Sequence, residues 1–175
     1  MSTSNYRKRK NSLRKPDWDY RFPAYYFVTF CTFQRICFFE DAEIKKALDD
    51  LWQQIPTWPQ AKHVVLDRWV VMPNHIHAIL YLNLDPEKLE QFDYKNTPKS
   101  LGAIIGSFKR SATYKIKPML NVDVYQLWQR GYYDRIVRSE SELNAIRHYI
   151  DLNPERRAQD QDNIDLMLEK MNYHR

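Results

Sequence analysis

No run of apolar residues in this sequence approaches the roughly 18 that a membrane span needs, so no membrane partner is expected. No apolar segment follows the basic start of the chain, so no signal peptide is visible. Only two cysteines occur, Cys31 and Cys37. They fit no disulfide framework, and a reducing cytoplasm is the simpler expectation. No Cys-x-x-Cys pair and no further histidine at a matching spacing exists to build a structural zinc site. Glycine is scarce, three in 175 residues, so the places where it is spent carry information.

What is present suits one domain, 43% hydrophobic, with a net charge of +5 and a pI of about 9.1. That balance points toward a polyanionic partner. Aromatic residues make up 14%, with twelve tyrosines. Rings beside a basic surface suit the stacking of unpaired bases, although a core rich in Tyr and Trp would use them too.

Residues 1–20 hold Arg7, Lys8, Arg9, Lys10, Arg14 and Lys15. They read as a flexible arm that lies along phosphates, or as a plain solvated tail. Residues 24–33 are aromatic and β-branched and predict a central strand covered on both faces. Asp41 is placed to cap a helix running to about residue 55, with Ile44, Leu48, Leu51, Trp52 and Ile55 at helical spacing and Pro56 and Pro59 beyond it. Two further strands, over 63–71 and 75–83, are joined by Pro73-Asn74 and are expected to be antiparallel neighbours. Residues 84–99 read as a loop. A helix follows over 100–116, with Leu101, Ile104, Ile105, Phe108 and Ala112 on one face and Lys109 and Arg110 mainly off it. Gly102 and Gly106, four apart, weaken that helix. They leave room for close packing on a sheet or for an approaching partner. Residues 124–137 predict a strand or extended segment around Gly131, where Arg130, Tyr132, Tyr133 and Arg135 alternate charge with rings as a single-strand groove would. Ser139 and Glu142 form a capping box that starts a helix, and Asn153-Pro154 ends it.

The chemistry centres on His75 and His77. In a strand, residues two apart share a face, so both imidazoles leave one side while Ile76, Ala78 and Leu80 leave the other. Two imidazoles completed by oxygen ligands and water would suit a hard divalent ion, Mg²⁺ or Mn²⁺. On the last helix Tyr149 and Asn153 lie one turn apart at the edge of the stripe formed by Leu143, Ile146 and Ile150. Either they serve a site, or Tyr149 packs with its hydroxyl satisfied and Asn153 is only the helix stop. His148 lies about 100° round the helix from Tyr149 and reads as a surface residue. Asp134 is a candidate to orient an active-site histidine.

Four segments, residues 69–77 (WVVMPNHIH), 100–110 (SLGAIIGSFKR), 127–134 (LWQRGYYD) and 149–154 (YIDLNP), occur in an order that resembles the single-tyrosine, His-hydrophobic-His transposases. More narrowly the chain is similar to the REP-associated tyrosine transposases, over roughly residues 5–157. The resemblance implies an α+β fold, a ferredoxin- or RRM-like antiparallel sheet with helices on one face and the site on the other. It implies a basic arm at 1–20, a catalytic domain at 21–157 and a C-terminal helix or tail at 158–175. It gives Tyr149 the role of nucleophile on single-stranded DNA, forming a 5′-phosphotyrosine link. It gives His75 and His77 the divalent ion, Mg²⁺ or Mn²⁺, with Asn153 as third ligand where insertion-sequence members often carry Gln. The expected partner is hairpin-forming single-stranded DNA, contacted by Arg7, Lys8, Arg9, Lys10, Lys109, Arg110, Arg130, Tyr132 and Arg135. The chain would act as a monomer or a homodimer. The rival reading is a DNA-binding protein that keeps the scaffold without the chemistry. A replication or plasmid-relaxing nickase would share the chemistry and differ in substrate.

Overall fold

The computed structural model describes residues 18–85, 98–120 and 124–153. The basic arm with Arg7, Lys8, Arg9 and Lys10, the greater part of the 84–99 loop and the 158–175 tail lie outside the described residues. The elements are β1 (Ala24–Cys31), α1 (Ala42–Gln53), β2 (Val64–Met72), β3 (His75–Leu82), α2 (Leu101–Ile116), β4 (Tyr133–Val137) and α3 (Glu140–Leu152). The strands form one sheet in the order β2-β3-β1-β4, and every neighbouring pair is antiparallel. A β-α-β-β-α-β chain with this strand order is ferredoxin-like, so the expected α+β architecture is the one found.

Alternation along the two central strands divides the molecule. Tyr26, Val28 and Phe30 of β1 and Ile76, Ala78 and Leu80 of β3 face α1 and α2 and join the larger core. Helix α1 forms there because Asp41 caps it, accepting from the backbone N–H groups of Glu43 (2.7 Å) and Ile44 (3.1 Å). It buries Ile44, Ala47, Leu48, Leu51 and Trp52. Helix α2 buries Leu101, Ile104, Ile105, Phe108, Ala112 and Ile116. Gly106 is on its exposed side, and a Cβ there would meet nothing within 4 Å. Close helix–sheet packing does not account for that glycine.

The other face of the sheet carries Phe27 and Ile79, on which Leu143, Ile146 and Ile150 of α3 pack. Helix α3 starts as its sequence indicates: Ser139 Oγ accepts from Glu142 N–H (3.2 Å). The Glu142 carboxylate reaches back one residue further than a capping box requires, to Arg138 N–H (2.8 Å). A β-bulge in β2 sets two residues, Asp67 and Arg68, opposite Ile79 alone. Both side chains reach α3, Asp67 to Arg147 (2.5 Å) and Arg68 to Asp151 (3.5 Å).

Two strands are shorter than expected. The segment over 124–137 is strand only from Tyr133, because Gly131 takes a left-handed conformation (φ 79°) that interrupts pairing. Before it, Trp128 makes an isolated bridge to Thr32 and packs on Phe30 and Phe39. Strand β1 ends at Cys31, and Gln34 and Arg35 both adopt positive φ, 51° and 56°.

Candidate active site

His75 and His77 enter the site side by side on β3, on the α3 face of the sheet. They are 5% and 1% exposed. Antiparallel register places Cys31 opposite His75 and Thr29 opposite His77. Each ring is held at Nδ1 by an oxygen. His77 Nδ1 lies 2.7 Å from Thr29 Oγ1, and its ring stacks on Phe27 at 5.6 Å between centroids. His75 Nδ1 lies 2.6 Å from Asn74 Oδ1. The orientation of the Asn74 amide is fixed independently, because its Nδ2 donates to the Arg35 carbonyl (3.2 Å). Asn74 Oδ1 can only accept, so His75 carries its proton on Nδ1 and offers a lone pair at Nε2.

The two Nε2 atoms meet at 3.0 Å. With His75 Nε2 bare, His77 donates from Nε2 and accepts from the Thr29 hydroxyl at Nδ1. Both rings are neutral near pH 7. Burial pulls the pKa of His75 down to about 4, with a smaller push from the nearby Arg35 charge. Burial, then His75 and Arg35, hold His77 well below the ordinary imidazole value. A buried imidazole that resists protonation keeps its lone pair for another ligand.

Helix α3 brings its residues to this pair. The Tyr149 hydroxyl lies 3.4 Å from His77 Nε2, and the two rings meet edge to face at 5.3 Å. The tyrosine and both histidines belong to one chain. One turn further, at the C-cap, Asn153 is 1% exposed. Its Oδ1 and Nδ2 have no hydrogen-bond partner, and leaving such a group unmade costs about 1–3 kcal/mol. Among the described residues no group of three or more His, Cys, Asp or Glu side chains is placed to hold a metal. The carboxamide of Asn153 is a buried polar group left without a partner.

The residues expected to contact DNA are differently placed. Arg110 and Arg130 are exposed, and Tyr132 is half-buried against the larger core. Lys109 is turned inward. Its ammonium donates to the carbonyls of Gln129 (3.1 Å) and Gly131 and sits over the rings of Phe30 and Trp128. Burial lowers its pKa to about 8. Arg135 is paired with Glu142 at 2.5 Å, both largely covered. His148 is exposed, as its helical position implies.

Asp134 does not orient a histidine. It pairs with Val28 on β1, and cross-strand neighbours share a face, so it lies on the side of α1 and α2 and its charge is felt at Tyr26. The groups that do orient the histidines, Thr29 and Asn74, had only weak signals. Asn74 adjoins His75 in sequence, and Thr29 is the one hydroxyl in the stretch from Ala24 to Phe30 apart from the tyrosines.

No family model matches the chain. An uncharacterized protein of Haemophilus influenzae (strain KW20) is 31% identical over 174 residues, covering 89% of this chain and 94% of the relative, and the chain belongs to the same family. A solved structure of a REP-associated tyrosine transposase bound to a REP hairpin aligns with a TM-score of 0.55 at 15% identity, covering 84% of this chain and 74% of the other. The two share a fold. Among the described residues no helix is long and apolar enough to cross a membrane.

Proposed function

We propose that this chain cleaves and rejoins single-stranded DNA, of hairpin-forming sequence, with Tyr149 as the nucleophile. The observation that carries the reading is the convergence of Tyr149 Oη, His77 Nε2 and His75 Nε2 within contacts of 3.4 and 3.0 Å; the unpartnered amide of Asn153 lies one turn beyond Tyr149 on the same helix. The fold shared with a hairpin-bound tyrosine transposase supports the same choice of substrate.

His75, His77 and Asn153 would hold Mg²⁺ or Mn²⁺. The donor set fits a hard divalent ion: two neutral imidazoles whose Nε2 atoms face each other, and a carboxamide with no other partner. The Thr29 hydroxyl serves either tautomer, since it accepts from His77 Nδ1–H when both Nε2 lone pairs are engaged. When bound, the ion would draw charge from the non-bridging phosphate oxygens and make phosphorus more electrophilic.

The chain's own groups do the rest. A tyrosine hydroxyl is a weak nucleophile because its ordinary pKa is about 10. Helix α3 offsets this by holding Oη against the imidazole pair before substrate arrives, which removes much of the entropic barrier to attack. Tyr149 Oη bonds to phosphorus, the bond from phosphorus to the 3′ oxygen breaks, the phenol proton passes to water, and the departing 3′ oxygen takes up a proton from water. The products are a 5′-phosphotyrosine and a free 3′-OH. Attack by another 3′-OH reverses the step, with no ATP consumed.

The test is to incubate the full chain with an end-labelled single-stranded hairpin and Mn²⁺ and to separate the products under denaturing conditions. A labelled band of protein-plus-DNA mass that needs the metal is expected. Intact DNA released in every lane would instead make the protein a binder.

A further inference from the structure

We propose that Arg35 is a substrate-binding residue that grips the non-bridging oxygens of the phosphodiester presented to Tyr149. The proposal rests on the reading of the site given above and adds to it a residue that the sequence did not single out.

Three observations meet at this position. The first is conformational. Gln34 and Arg35 are consecutive non-glycine residues at positive φ, 51° and 56°, and no other described non-glycine residue has positive φ. Such conformations cost of order 1–3 kcal/mol each and persist where surrounding contacts impose them, most often at functional sites.

The second is the set of contacts that imposes them. Thr32 N–H donates to the Asn74 carbonyl (2.9 Å). The Thr32 hydroxyl lies between the carbonyls of Ile36 (2.7 Å) and Asn74 (3.0 Å). Asn74 Nδ2 donates to the Arg35 carbonyl, while Asn74 Oδ1 holds the His75 ring. One asparagine thus ties the backbone of Arg35 to an active-site imidazole. The turn after β1 and the turn between β2 and β3 are locked together, and the arginine is placed relative to the histidines.

The third is charge. Arg35 is exposed. Its charge is felt at both His75 and His77, and no carboxylate contributes at either ring. Among the described residues Arg35 has no ion-pair partner. Arg21, Arg68, Arg135 and Arg147 are each paired with a carboxylate; of the described arginines without an ion pair, only Arg35 has its charge felt at the two histidines. An uncompensated guanidinium whose charge reaches two neutral imidazoles is a cationic site without its anion. The planar fork of a guanidinium matches two phosphate oxygens at once, which a lysine ammonium cannot do.

The backbone strain makes the test selective. Arg35→Gly removes the guanidinium and puts at this φ the residue that tolerates it best, so the fold should be unharmed. Arg35→Lys keeps the charge and loses the fork. With the labelled hairpin and Mn²⁺, Arg35→Gly is expected to form the covalent adduct at least tenfold more slowly than wild type, with an unchanged or raised Tm. In a Tyr149→Phe background, where only binding is read, Arg35→Gly should lower the slope of log affinity against log salt by about 0.7, one phosphate contact to a single strand. Arg35→Lys should keep that slope and recover only part of the rate. Wild-type rate and slope in Arg35→Gly, beside a wild type that forms adduct, would overturn the role of Arg35 and leave the site reading intact. A wild type that forms no adduct would overturn the site reading, and the role of Arg35 with it.

Discussion

The two faces of the sheet are built differently. The face covered by α1 and α2 is a broad apolar core, dense with aromatic rings: Phe30, Trp52, Phe108 and Trp128 touch one another in a connected group. The face covered by α3 has five buried apolar residues, Phe27, Ile79, Leu143, Ile146 and Ile150. It also holds the buried histidines and Asn153, and its helix is tied down by ion pairs at the Asp67–Arg68 bulge. Hydrophobic burial scales with the apolar area removed from water, so the first face makes the fold stable. The second can spend its area on polar groups because the first supports it. This is why the candidate chemistry is found under the smaller cluster.

The contrast can be broken at five points, in descending order of effect. Phe108→Ala should cost about 3–5 kcal/mol of global stability, read from denaturant unfolding. Ile146→Ala, on the smaller face, should cost less globally and raise amide exchange chiefly in α3. Acidification comes next. In metal-free protein the depressed pKa of His75 means that the unfolded chain binds the proton first. Stability is therefore present above about pH 6.5 and lost as pH falls toward 4, by on the order of 3 kcal/mol. His75→Asn should flatten Tm against pH across that window, and an unchanged slope would show that the imidazole is not held neutral by the fold. Ser139→Ala, which removes the cap of α3, should cost about 1 kcal/mol. Asp67→Asn should cost under about 1 kcal/mol, since the pair with Arg147 is partly exposed. Its signature is salt dependence, with exchange in α3 rising in the variant and added NaCl closing the gap to wild type.

Much of this arrangement was legible in the residues. The period-2 alternation of His75, Ile76, His77 and Ala78 assigns faces without any knowledge of the partner strands, and Ser139 with Glu142 marks the start of α3 through purely local chemistry. What stayed hidden depends on register and backbone geometry. Thr29 becomes the partner of His77 only because β1 pairs with β3 in one register, and Asp134 falls on the wrong face through its register with Val28. The bulge that turns Asp67 and Arg68 toward α3, and the left-handed pair at Gln34 and Arg35, leave no mark in hydropathy. The segment around Gly131 reads as strand or extended chain, and the positive φ that delays the strand to Tyr133 is not visible in its residues.

The central claim is that Tyr149 becomes covalently attached to DNA. The direct measurement is mass spectrometry of the tryptic peptide 148–156 after incubation with a single-stranded hairpin and Mn²⁺, followed by nuclease digestion. The account predicts a peptide heavier by a phosphonucleotide, with the added mass on Tyr149, and no modified peptide from Tyr149→Phe. An adduct on another residue, or one that survives in Tyr149→Phe, would contradict it.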